Sequence, residues 1–301
     1  MDRQGFIDFN TRLSPDNSRK AAIKREQTEA RFQYAERKQA RPEVKAASYA
    51  QAIKILDEVL EHQHVIDLQD QSLYDIRDLA VLEQVWNLVK EEVKKMKEGQ
   101  PNIFDYGQPT QKSYPLGGFC TAAVTSLMDY AQFEGAEMIV RKETNPHTIS
   151  TRLIKYFDLT KEGEDVASET KRRKGQDYFR RMILANYGFR CALTGIDMPQ
   201  LLLASHIIPW KDKSHKNERL NPCNGICLSA LYDKAFDKGL ITFSPDDYSV
   251  CLSSALRENE TKEYYDQHFG CIIGKKISLP AEYLPNRDFL AYHKEKVFVG
   301  E

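Results

Sequence analysis

The feature that most constrains the fold of this chain is a pair of short apolar runs separated by a polar loop and followed at once by a helix-forming stretch. The runs are LLLASHII (201–208), which has a β-rich end, and GICLS (225–229). ALYDKAFDKG (230–239) comes next, with Leu231 and Phe236 available for packing and Gly239 placed to end a helix. This order predicts a long β-hairpin followed by a helix, which is a ββα unit.

A second hairpin is predicted directly after this unit. LITF (240–243) and YSVCLS (248–253) are short apolar runs, and the turn-forming residues SPDD lie between them. Upstream of both hairpins, the apolar residues recur at helical spacing instead. Helices followed by short hairpins predict an α+β protein.

The N-terminal half is predicted to be mostly helical. One helix is expected from Ser72, because Ser72 and Asp75 have the S-x-x-D form of a capping box, and its apolar stripe continues to Gly99. A loop rich in Pro and Gly follows at 101–118. The apolar residues at helical spacing are Ile53, Leu56 and Leu60 before Ser72, Leu73, Ile76, Leu79, Leu82, Trp86, Val89, Val93 and Met96 in that helix, and Phe119, Ala123, Leu127 and Tyr130 after the loop.

Composition is that of a soluble protein with one or two domains. Of 301 residues, 41% are hydrophobic and 29% charged, and the formal net charge is -1. The start of the chain lacks the apolar core of a signal peptide and no apolar run reaches the ~18 residues of a membrane helix, so a cytoplasmic location is expected. We expect a mostly helical domain at residues 1–165, including an exposed or partner-dependent helical arm at 18–45, and a second domain at residues 166–301.

The six cysteines are scattered without a C-x-x-C pair. Neither a disulfide scaffold nor a four-cysteine zinc site is indicated, and buried free thiols are expected. Cys223 and Cys227 form a C-x3-C pair without partner ligands, which favours packing over a structural Zn²⁺.

Four sequence elements surround the predicted ββα unit. They are Cys191-Ala-Leu-Thr-Gly195, Ser205-His-Ile-Ile-Pro-Trp210, Asn221-Pro-Cys-Asn-Gly225, and the stretch from Leu231 to Ile241. In this order they resemble the HNH endonucleases of the ββα-metal superfamily, in a branch that is like restriction endonucleases. The flanking segments extend the resemblance from about Arg172 to Phe298. It implies that residues 166–301 form an HNH nuclease domain.

The resemblance gives His206 the role of general base. An imidazole with an ordinary pKa near 6.5 can accept a proton at neutral pH. Asn224 matches the N of the motif, which in relatives either fixes the geometry of the hairpin loop or contributes to the metal site; a plain Asn-Gly turn is the alternative. Asn221 precedes a proline and is the less favoured candidate for this N.

Asp233 lies where many relatives have the second histidine of the motif. Asp237 lies one helical turn later on the same face, and two carboxylates at this spacing can share one hard cation such as Mg²⁺ or Mn²⁺. Pairing with Lys234 or Lys238 is the alternative for both. Ser205 stands where the superfamily often has a ligating Asp or His, and a hydroxyl holds a metal only weakly. The motif is therefore nearer H-N-D than H-N-H, and Mg²⁺ or Mn²⁺ is expected rather than Zn²⁺.

Basic residues near the predicted hairpin are candidates for binding nucleic-acid phosphates, although a solvated helix face is by itself the better explanation. They are Arg172, Arg173, Lys174, Arg180, Arg181, Lys211 and Lys213.

The leading hypothesis is a divalent-metal-dependent DNA endonuclease, with restriction or antiphage defence as the setting that the resemblance implies. An RNA-cleaving or toxin-like nuclease of the same fold is the first alternative. A nucleic-acid-binding module with a decayed site is the second, because Ser205 replaces a stronger ligand and the second histidine is absent. The N-terminal domain is expected to serve recognition, regulation or assembly, either as a homodimer or with a partner protein.

Overall fold

The computed structural model describes residues 42–68, 71–106, 112–159 and 166–300. It divides into two compact units, one up to Gly135 and one from Ala136 onward. Most of the predicted N-terminal arm, at 18–41, lies outside the described residues. No helix in the described part of the chain is both long and apolar enough to span a membrane.

The first unit is helical, as predicted. Its helices are α1 (Pro42–Gln63), α2 (Leu79–Lys97), α3 (Ser113–Leu116) and the first part of α4 (Phe119–Lys142). The residues predicted from helical spacing pack into one core, except for Phe119, which is 40% exposed. The most buried include Ile53, Leu56, Leu60, Leu82, Val89, Ala123 and Leu127.

The predicted capping box at Ser72 is wrong. Helix α2 begins at Leu79, where the side chain of Asp78 accepts from the backbone N–H of Ala80. The Ser72 hydroxyl instead donates to Asp57 Oδ2 at 2.7 Å, and the N–H of Leu73 donates to Asp57 Oδ1 at 2.8 Å. A carboxylate of α1 thus holds Ser72 and Leu73 in a turn before the helix, and the helix starts later.

In the second unit, two helices precede the hairpins. These are α5 (Pro146–Tyr156) and α6 (Val166–Asn186). The second unit includes α5, which lies upstream of residue 166, the expected start of the second domain. The domain boundary itself stays a prediction.

The ββα unit has the predicted order. Strands β1 (Leu202–His206) and β2 (Gly225–Ser229) pair antiparallel, with Leu202 opposite Ser229 and His206 opposite Gly225. Helix α7 (Ala230–Asp237) follows β2 without a connecting loop. Phe236 is fully buried, but Leu231 is 44% exposed and Tyr232 packs in its place, so the prediction for Leu231 is wrong.

The second hairpin and the C-terminal helices complete the unit. Strands β3 (Ile241–Phe243) and β4 (Val250–Leu252) pair antiparallel, as predicted. They are followed by α8 (Ser254–Arg257), α9 (Glu263–His268) and α10 (Arg287–Lys296).

Two glycines allow the close packing of this unit. A Cβ on Gly225 would lie 2.6 Å from Ile183 and 2.8 Å from Phe179, so α6 can approach the hairpin only at glycine. Gly239 ends α7 with φ +67°, and a Cβ there would lie 2.0 Å from the carbonyl oxygen of Val297. The residues after α10 thereby pack against the end of α7.

All six cysteines are free, as predicted, but they are not all buried. Cys120, Cys191 and Cys227 are buried, whereas Cys271 is exposed. Burial raises the pKa of the Cys223 thiol to about 11 and that of Cys227 to about 12, so both thiols are protonated at neutral pH.

Candidate active site

Three of the predicted site residues, His206, Asp233 and Asp237, line a cleft of about 460 Å³ in the second unit. It lies where the end of β1 faces α7. Its lining includes the side chains of His206, Trp210, Lys211, Asp233, Asp237 and His293.

His206 is held between two aromatic rings. Its imidazole stacks on Phe179 of α6, with 3.9 Å between ring centroids and 15° between planes. Trp210 meets it edge-on at 5.5 Å. These contacts hold the ring in one plane. A flip of the ring within that plane would still exchange its two nitrogens, so another contact must select one orientation.

A backbone carbonyl fixes which nitrogen of His206 carries the proton. Nε2 lies 2.9 Å from the carbonyl oxygen of Arg219. Because a carbonyl can only accept, Nε2 is the protonated nitrogen and Nδ1 keeps the lone pair. Shielding from water lowers the pKa of His206 to about 4. The ring is therefore neutral at physiological pH and able to accept a proton through Nδ1.

Asn224 organises the loop between the two strands. Its Oδ1 accepts from the N–H of Ile208 at 2.8 Å, and its Nδ2 donates to the carbonyl oxygen of Glu218 at 2.9 Å and of Ile208 at 3.4 Å. The side chain is fully buried. Of the roles expected for it, these contacts correspond to fixing the loop.

Ser205 and Asp233 form a pair beneath the cleft. The Ser205 hydroxyl is buried and donates to Asp233 Oδ1 at 2.7 Å. This bond fixes the carboxylate and leaves Oδ2 for other partners. Ser205 itself does not appear among the residues that line the cleft.

Asp237 lines the same cleft as Asp233. Burial raises the pKa of Asp237, and the negative charge of Asp233 raises it further, while Lys234 and Lys238 oppose the shift. Two carboxylates that disfavour each other's charge are stabilised when a cation lies between them. In the described part of the chain, however, no three His, Cys, Asp or Glu side chains are arranged to hold a metal ion.

The predicted basic residues do not all reach the site. Lys211 lines the cleft, and Lys213 is exposed in the same loop. Arg180 donates to the carbonyl oxygens of Pro199 at 3.0 Å and Leu202 at 2.9 Å, so its guanidinium fastens β1 to α6. Arg173 is exposed and pairs with Glu169. Arg172 is exposed, while Lys174 and Arg181 are half-buried.

Two contributors to the site were not predicted. His293 of α10 lies at the floor of the cleft and is 1% exposed. Arg219 lends its carbonyl to His206, and its side chain donates to the carbonyl oxygen of Trp210 at 2.8 Å while lying over the Trp210 ring. His293 occurs in the C-terminal segment that resembles the HNH family, yet a lone histidine on a helix carries no local signal of its contacts.

Residues 191–244 match the family model described as HNH endonuclease. The match covers the CALTG segment, both strands of the first hairpin, α7 and β3. This segment is thus an HNH domain, which confirms the resemblance seen in the sequence. No curated protein matches the chain.

Proposed function

We propose that this protein is a divalent-metal-dependent DNA endonuclease that acts in restriction or antiphage defence. The observation that carries the proposal is that His206, whose Nε2 donates to a backbone carbonyl, lines the same cleft as two carboxylates. The match to HNH endonucleases supports the nuclease chemistry. The resemblance of the sequence motif to restriction endonucleases supports DNA as the substrate and defence as the setting.

His206 is the proposed general base. In phosphodiester hydrolysis, its Nδ1 takes a proton from water as the water oxygen bonds to phosphorus, and the bond from phosphorus to the leaving sugar oxygen breaks. The leaving oxygen then takes a proton from solvent. The carbonyl of Arg219 holds Nε2–H throughout and stabilises the imidazolium that forms.

Asp233 and Asp237 are the proposed metal ligands. Their carboxylate oxygens suit Mg²⁺ or Mn²⁺, which commonly bind one or two carboxylates and complete their shells with water and substrate phosphate. When bound, such an ion neutralises charge that develops on the phosphate. We propose that Ser205 contributes by orienting Asp233 rather than by direct ligation, since Ser205 is buried, does not line the cleft and donates its hydroxyl to Asp233. Asn224 contributes by holding the loop.

Phosphate binding is assigned first to Lys211, because it lies beside His206 in the cleft. Lys213, Arg172, Arg173, Lys174 and Arg181 are assigned to more distant phosphates. The helical N-terminal domain is proposed to recognise the target or to assemble the protein into a dimer, since one HNH site cuts one strand.

The test is a cleavage assay with the full chain. Supercoiled plasmid, modified and unmodified, and a structured RNA are each incubated with Mg²⁺, Mn²⁺ or EDTA. Nicking of DNA that needs the metal is expected, and it should be lost in His206→Ala and strongly reduced in Asp233→Asn. His215→Ala and Asp266→Asn are the matched controls, because they remove the same groups outside the cleft.

Other outcomes would identify the alternatives. Cleavage of RNA without cleavage of DNA would show the RNase, and DNA binding without cleavage would show a decayed site. Cleavage that persists in EDTA or in His206→Ala would overturn the mechanism.

A further inference from the structure

Helix α5 lies outside the segment that matches the HNH family, yet it reaches the loop that controls His206. The Ser150 hydroxyl accepts from the backbone N–H of Leu220 at 3.1 Å. Ser150 is fully buried, and Leu220 lies 70 residues further along the chain. This contact therefore joins two distant parts of the second unit directly behind the proposed base.

The peptide group involved is the same one that orients His206. The N–H of Leu220 and the carbonyl of Arg219 belong to a single planar peptide. Its oxygen accepts from His206 Nε2 at 2.9 Å, and its N–H donates to Ser150 Oγ. A rotation of this peptide would break both bonds together, so Ser150 restrains the acceptor on which the tautomer of His206 depends.

Other contacts make α5 a fixed support for this loop. Asn145 caps the start of α5, where its Oδ1 accepts from the N–H of Thr148 at 3.0 Å. His147 on the first turn pairs with the carboxylate of Glu218. Glu218 Oε2 also accepts from Asn221 Nδ2 at 2.6 Å. The residue before the shared peptide is thus held to α5 through its side chain.

We propose that Ser150 is a positioning residue for His206, acting through the peptide between Arg219 and Leu220. The hydrogen bonds from Ser150 through the peptide to Nε2 select the tautomer that leaves the lone pair on Nδ1. Hydrogen bonds at both ends of one peptide also polarise each other, which strengthens the carbonyl as an acceptor. This proposal rests on the proposed function for its effect on cleavage, but its effect on the tautomer does not.

The test compares Ser150→Ala with Thr151→Ala in the full chain. Thr151 is the matched control because its hydroxyl donates to the His147 carbonyl within the same helix and does not touch the loop. Histidine labelled with ¹⁵N distinguishes protonated from unprotonated ring nitrogens, and the His206 signals are assigned by their loss in His206→Gln. DNA cleavage gives kcat and KM at a temperature well below the unfolding midpoint.

Ser150→Ala is expected to turn the single Nε2–H tautomer of His206 into a mixture and to lower kcat about tenfold with KM unchanged. Thr151→Ala should match the parent protein in both measurements. If Ser150→Ala does not fold, Ser150→Cys preserves most of the volume with a weaker acceptor and should shift both measurements in the same direction.

An unchanged tautomer in Ser150→Ala would overturn the proposal, and so would a loss of activity that only follows the fraction of folded protein. If the parent protein cleaves nothing, the proposed function fails while the ¹⁵N spectra still decide the role of Ser150.

Discussion

His206 of β1 and His293 of α10 both line the cleft, and contacts of the same kind hold their rings. His206 stacks on Phe179 with 3.9 Å between centroids, and His293 stacks on Phe236 with 3.8 Å. Nε2 of His206 lies 2.9 Å from the carbonyl oxygen of Arg219, and Nε2 of His293 lies 3.2 Å from that of Phe236. Burial lowers the pKa of both to about 4.

The pockets differ at the other ring nitrogen. Nδ1 of His293 lies 2.9 Å from the hydroxyl of Thr242, and the ring is 1% exposed. No hydrogen bond from the described residues reaches Nδ1 of His206, whose ring lines the cleft. Burial thus keeps both rings neutral, although the hydrogen bond to the backbone carbonyl raises each pKa. The hydroxyl on Nδ1 makes His293 a structural crosslink, whereas His206 keeps a nitrogen that can act as a base.

Replacing each histidine by alanine is the strongest test of the difference between the two histidines. His206→Ala should lower kcat about 1,000-fold because the general base is lost. His293→Ala should lower the free energy of unfolding by about 3 kcal/mol, through lost packing and hydrogen bonds, and keep most of kcat at low temperature. Chemical denaturation and plasmid nicking measure both effects. A large loss of kcat in folded His293→Ala would contradict the distinction between the pockets.

The pH dependence of stability tests what the pockets share. Both folded pKa values lie near 4 and the unfolded value lies near 6.5, so between these limits the unfolded chain binds protons that the folded chain does not. Stability is complete above pH ~6.5 and should fall toward pH ~4 by at most about 1.4 kcal/mol per pH unit for each histidine.

The variants His206→Gln and His293→Gln should each remove one histidine's share of this slope. Denaturation at a series of pH values measures it, and comparison with the parent cancels the carboxylates common to all three proteins. A slope unchanged by His293→Gln would show that its imidazole is not kept neutral in the folded state.

Removing the distinguishing hydroxyl gives a smaller effect. Thr242→Val keeps the shape of a buried side chain but leaves Nδ1 of His293 without its donor. The free energy of unfolding should fall by about 1.5 kcal/mol, with kcat unchanged. Thr125→Val, at an exposed position of α4, should change it by less than about 0.5 kcal/mol. Equal stability of the two variants would mean that Thr242 does not hold His293.

Local patterns predicted the elements that carry the cleft. The hairpin, α7 and the end of α7 at Gly239 are predictable from the residues next to them in the sequence. The candidate site residues His206, Asp233 and Asp237 are predictable from the HNH motif. The start of α2 differs from the prediction because Asp57, a residue of another helix, binds Ser72 and Leu73 and holds them in a turn before the helix. Local capping rules do not contain such a competitor.

The rest of the site depends on contacts between distant residues. Ser150 meets a peptide 70 positions away, and His293 meets Phe236 57 positions away. Neither residue type indicates by itself which backbone group it will meet. Arg180 is the opposite case, because its residue type does suggest a partner. Its guanidinium is predicted to bind nucleic acid, but it donates to two backbone carbonyls instead.

The smallest predicted effect concerns the open side of the His206 pocket. If this cleft admits a phosphate, Lys211→Ala should weaken DNA binding about 3- to 10-fold and reduce the slope of log K against log salt by about 0.9. Lys213→Ala is the matched control, since Lys213 is exposed in the same loop but does not line the cleft. Binding is measured in EDTA at several salt concentrations, so that cleavage does not interfere. Lys211 and His206 line the same cleft. A larger effect of Lys213→Ala would show that the DNA phosphates bind away from His206, which would argue against Nδ1 of His206 as the catalytic base.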